Sequence, residues 1–267
     1  IIKGYVLLKG EGKSQERIRI QIPGLNIDQV VKTNDAGYIT FQMLTMGIQY
    51  CSTENPFLYD IVLETDDDEV RDQIGFRTIS TKGSQILLNN NPIYLKGISI
   101  HEESPFRAGR GYSKEDAEQL LNWARDLGCN YVRLAHYPHN EHMVRLADQM
   151  GILVWEENPV YWTIDRENEK TYQNAENQLS ELISRDKNRA SVIIWSMANE
   201  TPSTAARNRF LNRLAEYTRI KDPTRMISAA LEQTSSEEDP NLRSIDDPFA
   251  EKVDILSFNQ YIGWYDG

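Results

Sequence analysis

The chain has 267 residues, 40% of them hydrophobic and 26% charged, a composition that fits a globular protein with a sizeable core. A net charge of −11 argues against nucleic acid or an anionic membrane as partners, since both call for clustered Lys and Arg. Two cysteines, Cys51 and Cys129, give neither a disulfide framework nor metal-ligand spacing, and the four histidines show no zinc pattern, so neither a metal nor another cofactor is expected.

Residues 1–78 read as all-β. Ile1-Ile-Lys-Gly-Tyr-Val opens as strand rather than signal peptide, and no stretch approaches the roughly 18 apolar residues of a membrane span. Tyr5-Val-Leu-Leu, Arg17-Ile-Arg-Ile-Gln-Ile, Tyr38-Ile-Thr-Phe-Gln-Met and Tyr59-Asp-Ile-Val-Leu-Glu are short runs between Gly-, Asn- and Asp-rich turns. They predict a β-sandwich, though only four or five of its strands are visible. The acidic run Glu64-Thr-Asp-Asp-Asp-Glu69 lacks the Gly and the spacing of a calcium loop and reads as a solvated turn.

From Thr78 the pattern changes to alternating strand and helix. Tyr94–Ile100 is the first strand of this part. Ser113-Lys-Glu-Asp116 offers a capping box, with Asp where Glu or Gln is usual. Behind it Ala117, Leu120, Leu121, Ala124 and Leu127 fall on one helical face, and Gly128 stops the helix before a strand over Asn130–Leu134. A second helix carries Met143, Leu146, Ala147 and Met150 and leads through Gly151 into Ile152-Leu-Val-Trp155. A third carries Ala175, Leu179, Leu182 and Ile183, and a fourth Phe210, Leu211, Leu214 and Tyr217. Strands follow at Met226-Ile-Ser-Ala-Ala230 and Asp254-Ile-Leu-Ser-Phe258, which makes six where a closed barrel needs eight.

The most informative segment is Val192-Ile-Ile-Trp-Ser-Met-Ala-Asn-Glu200. Its first four residues form the continuous apolar run of a strand buried on both faces. Asn199 and Glu200 then lie just past the C-terminal end, where (β/α)8 barrels build their active sites. Partial desolvation there is expected to raise the Glu200 pKa and suit the group to proton donation.

Four motifs resemble glycoside hydrolase family 2, which includes the β-galactosidases and β-glucuronidases. They are Gly97-Ile-Ser-Ile-His101, Asn130-Tyr-Val-Arg133-Leu-Ala-His136-Tyr-Pro138, the segment ending at Glu200, and Asn259-Gln-Tyr261-Ile-Gly263-Trp264-Tyr265. Upstream, Glu54-Asn-Pro56-Phe-Leu-Tyr59 and Gly75-Phe76-Arg77 resemble the end of the family's immunoglobulin-like domain. The resemblance implies an incomplete TIM barrel over 79–267, truncated before strand seven, preceded over 1–78 by a partial immunoglobulin-like sandwich.

It also implies a retaining exo-β-glycosidase acting on a carbohydrate substrate with a terminal β-galactoside or β-glucuronide. Glu200 is then the general acid/base, and Asn199 contacts the sugar 2-hydroxyl. His101 and His136 contact or shape the sugar pocket, Arg133 bonds to the nucleophile, and Tyr261 donates to the nucleophile or ring oxygen. The family nucleophile would follow Gly267. Of the other carboxylates, Glu156 and Glu157 are best placed by position, although in the family this strand end only lines the pocket. Tyr161 and Thr163 stand where some relatives carry magnesium ligands, so no metal is expected. Trp155, Trp162, Trp264 and Tyr265 read either as an aromatic wall for a sugar face or as core.

The alternative is a non-catalytic protein that binds glycans or a partner on a degenerate barrel. Exposed strand edges on an open sheet predict that the 267-residue product by itself is inactive and prone to aggregate or to dimerise as a homo-oligomer. Low cysteine content fits a cytoplasmic or a periplasmic location alike.

Overall fold

The computed structural model describes residues 1–11, 13–235, 239, 242–261 and 263. It divides into two units, Ile1–Phe76 and Arg77–Gly267.

In the first unit, strand β1 (Ile2–Leu7) pairs antiparallel with β4 (Tyr38–Met43). Strands β2 (Arg17–Ile22), β3 (Ile27–Lys32), β5 (Tyr59–Glu64) and β6 (Glu69–Ile74) form an antiparallel sheet in the order β3-β2-β5-β6. Alternation in β2 buries Ile18, Ile20 and Ile22, which share one apolar cluster with Ile2, Met43 and Tyr59. Among the described residues the unit has six strands, more than the four or five visible in the sequence. The two that were missed, β3 and β6, are the edges of their sheet and carry mostly exposed polar residues, so neither shows an apolar alternation. Residues between β5 and β6 form the expected acidic turn, closed by Asp68 and Thr65.

The second unit opens with an antiparallel meander of β7 (Ile79–Lys82), β8 (Gln85–Leu88) and β9 (Asn91–Ile93). Then come β10 (Gly97–Ile100), α1 (Lys114–Asp126), β11 (Tyr131–Leu134), α2 (Glu141–Met150), β12 (Leu153–Glu157), α3 (Glu169–Asp186), β13 (Val192–Asn199), α4 (Ala205–Lys221) and β14 (Met226–Leu231). A short antiparallel pair, β15 (Thr234–Ser235) and β16 (Arg243–Ser244), precedes β17 (Ser257–Phe258). Strands β10, β11, β12, β13, β14 and β17 make one parallel sheet in that order. The first of them is shorter than the sequence suggests, because Tyr94 lies outside it and is exposed.

Local signals explain the helix ends. Ser113 and Asp116 form the capping box, with the Asp116 N–H donating to Ser113 Oγ at 3.2 Å and the Ser113 N–H to Asp116 Oδ2 at 3.2 Å. Gly151 ends α2 in the left-handed conformation (φ 71°) that only glycine adopts without cost. Leu127, expected on the buried face of α1, instead caps that helix and is exposed.

The parallel sheet has two faces with different neighbours. Val132, Leu134, Val154 and Trp195 pack in one cluster with apolar residues of the four helices. Leu153, Trp155, Ile194 and Met226 form another with Leu88, and Ile86 and Ile93 of the meander pack against it. Alternation along β12 therefore aims Leu153, Trp155 and Glu157 one way and Val154 and Glu156 the other. Gly97 is required where β10 meets β11, since a Cβ there would lie 2.3 Å from the Tyr131 carbonyl oxygen.

Candidate active site

The C-terminal ends of β11, β12, β13 and β17 bring together one hydrogen-bonded group. Its hub is Arg133 on β11, a half-buried side chain whose guanidinium lies 5.3 Å from the Trp155 ring. Nε and Nη2 donate to the two oxygens of Glu157, each at 3.0 Å. Nη2 also donates to Asn199 Oδ1 at 2.6 Å, and Nη1 to Asn259 Oδ1 at 3.1 Å.

Glu157 is fully buried and accepts two further bonds, from Trp155 Nε1 at 2.8 Å and His136 Nδ1 at 2.7 Å. Burial pushes its carboxyl up, but the His136 hydrogen bond and the Arg133 guanidinium outweigh that and hold it below the usual value. An ionised carboxylate only accepts, so Nδ1 of His136 carries a proton toward Glu157. Glu156 points into the helical layer beside Arg185 and Asp186; burial, and then the Asp186 charge, raise its pKa well above the ordinary range.

Backbone bonds on both sides fix the end of β13. The Asn199 N–H donates to the Val160 carbonyl at 2.9 Å and the Glu200 N–H to the Ala230 carbonyl at 2.8 Å. Glu200 sits at φ 46°, a strained region for a residue with a side chain. Its Oε1 accepts from Asn259 Nδ2 at 2.8 Å and from the Tyr261 hydroxyl, and its Oε2 from Trp162 Nε1 at 3.2 Å. Burial raises the Glu200 pKa, but the bonds from Tyr261, Asn259 and Trp162 outweigh it, so the net shift is downward. This corrects the expectation of a raised pKa. Sequence position predicts the desolvation but not the three donors.

Asn199 is buried, and its Oδ1 is occupied by Arg133 and, at 3.0 Å, by Asn259 Nδ2. Its own amide N–H groups have no acceptor among the described residues. His101, just after β10, stands beside this group, its ring 5.2 Å from the His136 centroid and 6.2 Å from Tyr137.

The model of the family described as "Glycosyl hydrolases family 2, TIM barrel domain" matches residues 79–267. The chain belongs to glycosyl hydrolase family 2. A β-glucuronidase of Streptococcus agalactiae is 32% identical over 214 residues, 74% of this chain and 35% of that protein. A β-glucuronidase of Rattus norvegicus is 30% identical over 242 residues, 87% of this chain and 36% of the relative. The chain thus spans about a third of the length of these curated relatives. A solved family 2 β-galacturonidase from Eisenbergiella tayi, bound to galacturonate, superposes with a TM-score of 0.81 at 25% identity, covering 99% of this chain and 50% of that one.

Glu200, Asn199, Arg133, His136 and Tyr261, all singled out from the sequence, fall in one network, and His101 stands beside it. Tyr261 bonds to Glu200, and Arg133 bonds to Glu157. Trp155 is core on the Glu157 side, Trp162 is exposed at the site, and Trp264 and Tyr265 lie outside the described residues. Three groups were not assigned these roles from sequence. Asn259 bridges Arg133, Asn199 and Glu200, and its signal was its spacing: two residues before Tyr261 after a strand, it shares that residue's side. Glu157 anchors Arg133 and His136, and Trp162 donates to Glu200.

Proposed function

We propose that the whole protein carrying this chain is a retaining exo-β-glycosidase acting on terminal β-linked hexuronides, β-glucuronides first. Glu200 is its general acid/base. The carrying observation is the Glu200 carboxyl itself, held by three donors at the end of a strand of the family 2 barrel domain, beside the Asn199 side chain. That similar proteins are β-glucuronidases and a β-galacturonidase supports a uronide over a neutral galactoside.

In this reading the glycosidic oxygen receives the Glu200 proton as the C–O bond breaks, and a second carboxylate attacks the anomeric carbon from the opposite face. The glycosyl-enzyme ester is then hydrolysed by a water that Glu200 deprotonates. Glu157 does not serve as that nucleophile, because four donors saturate its oxygens, and Glu156 faces the helices. In this reading the nucleophile is another carboxylate of the whole protein. Two carboxyl groups of a retaining site lie about 5–5.5 Å apart, and the negative charge of the second raises the pKa of the first. The donor set lowers the Glu200 pKa, and that neighbour together with a bound, water-excluding sugar reverses the shift. The Asn199 amide donates to the sugar 2-hydroxyl, and His101 and the Nε2 of His136 face the ring hydroxyls. Arg133 and Asn259 position the group.

The test is an assay of the full-length protein on p-nitrophenyl β-glucuronide, β-galacturonide and β-galactoside, with the anomer of the product followed by NMR. Hydrolysis of a uronide with retention is the expected result, and loss of a general acid in Glu200→Gln should slow poor leaving groups by about 10²–10⁴. Binding of glycans without turnover of any glycoside would instead favour a non-catalytic protein.

A further inference from the structure

Trp162 has a position that its packing does not explain. It is 62% exposed, yet its backbone is held at φ 53° in the left-handed region, where a side chain is strained. The Trp162 N–H donates to the Asn199 carbonyl at 3.2 Å, and Arg166 Nη2 donates to the Trp162 carbonyl. Two of the strained residues in this chain, Trp162 and Glu200, are therefore hydrogen-bonded to each other through their side chains, at 3.2 Å.

The two oxygens of Glu200 are not equivalent. Oε1 accepts from both Asn259 and Tyr261, so both of its lone pairs are used. Oε2 accepts only from the Trp162 indole, and its second lone pair has no partner among the described residues. A proton carried by this carboxyl therefore resides on Oε2. Whatever receives that proton must approach Oε2, the oxygen to which the exposed indole is bonded. The ring also belongs to a continuous run: Tyr161 lies edge-on at 5.5 Å, His136 is 6.0 Å from Tyr161, and His101 is 5.2 Å from His136.

Building on the glycosidase reading above, we propose that Trp162 is the positioning residue of the acid and the floor of the leaving-group subsite. Its N–H fixes Oε2 toward the glycosidic oxygen, and its exposed face receives an aglycone that presents a flat apolar face, an aryl group or a sugar ring. The residue thus couples leaving-group recognition to proton donation.

The experiment uses the full-length protein, wild type and with Trp162→Phe or Trp162→Ala, on 2,4-dinitrophenyl, phenyl and methyl glycosides of its preferred sugar. Dinitrophenolate departs without a proton, whereas phenolate and methoxide need one. Trp162→Phe is expected to widen the dinitrophenyl-to-phenyl ratio of kcat/KM about tenfold, the scale of a hydrogen bond to a charged group. Removing a donor from the carboxylate favours its protonated form, so the alkaline limb of kcat/KM should move to higher pH. Trp162→Ala should in addition raise KM for the phenyl glycoside more than for the methyl glycoside. Equal losses on all three substrates with an unmoved limb would overturn the proposal.

If the wild-type protein cleaves no glycoside, the glycosidase reading fails, and the contact is tested separately by indole emission. The difference in emission between wild type and Trp162→Phe should then titrate with a carboxylate and lose that titration in Glu200→Gln. A flat difference would overturn the positioning role as well.

Discussion

Replacing Glu157 with Gln separates a structural carboxylate from a catalytic one. The side chain is 0% exposed and accepts from Arg133 Nε and Nη2 at 3.0 Å each, His136 Nδ1 at 2.7 Å and Trp155 Nε1 at 2.8 Å. Glutamine keeps the volume but has one oxygen, so its NH2 group must face donors that can no longer bond. Arg133 also loses its carboxylate partner in a buried setting. Breaking a buried pair from one side costs about 3–5 kcal/mol, a large part of the roughly 5–15 kcal/mol that holds a domain folded. Urea denaturation of the full-length protein, followed by tryptophan fluorescence and circular dichroism, should show that loss. Arg133→Met and Glu157→Leu together should cost less than the sum of the two single changes, because neither charge is then left unpaired, although Asn199, Asn259, His136 and Trp155 each lose a partner. If Glu157→Gln cost less than about 1 kcal/mol while abolishing turnover, Glu157 would be a reacting group and the hub reading would be refuted.

Three further outcomes follow from the same geometry. His139 is buried, its one hydrogen bond among the described residues being to the Ala135 carbonyl, and burial pulls its pKa from 6.5 down to about 4. The unfolded chain therefore binds the proton first, and stability should fall as pH drops from 6.5 toward 4, by up to roughly 3 kcal/mol. His139→Gln should flatten that slope in denaturation at successive pH values, and an unchanged slope would contradict the assignment. Gly97→Ala should cost about 1–3 kcal/mol by thermal or urea melting, because its Cβ meets main chain that cannot yield cheaply; a neutral result would mean that β10 can shift. Tyr261→Phe removes a donor that holds the Glu200 carboxyl down, so the alkaline limb of kcat/KM should move up; a downward move would reverse the sign of this account.

What the sequence revealed depended on how local each signal was. The apolar run into Asn199-Glu200 and the faces of α1 to α4 were legible because period and position carry them. Edge strands β3 and β6 were not, since exposure on one side of the sheet's hydrogen bonding suits charged residues. Glu156 and Glu157 read as equivalent neighbours, yet parity along β12 sends one to the helices and the other to the hub. The downward shift of the Glu200 pKa is hidden from the sequence for a related reason. Its donors, Trp162, Asn259 and Tyr261, are 38, 59 and 61 residues away in sequence, so desolvation was visible and the compensating bonds were not.

The central claim is that Glu200 is the acid/base of a retaining glycosidase. Its most direct measurement is azide rescue of Glu200→Ala in the full-length protein on an activated β-uronide. Without the base, the glycosyl-enzyme should wait for a small nucleophile, so azide should accelerate turnover and yield the β-glycosyl azide by NMR. No acceleration, or an α-configured azide, would contradict the account.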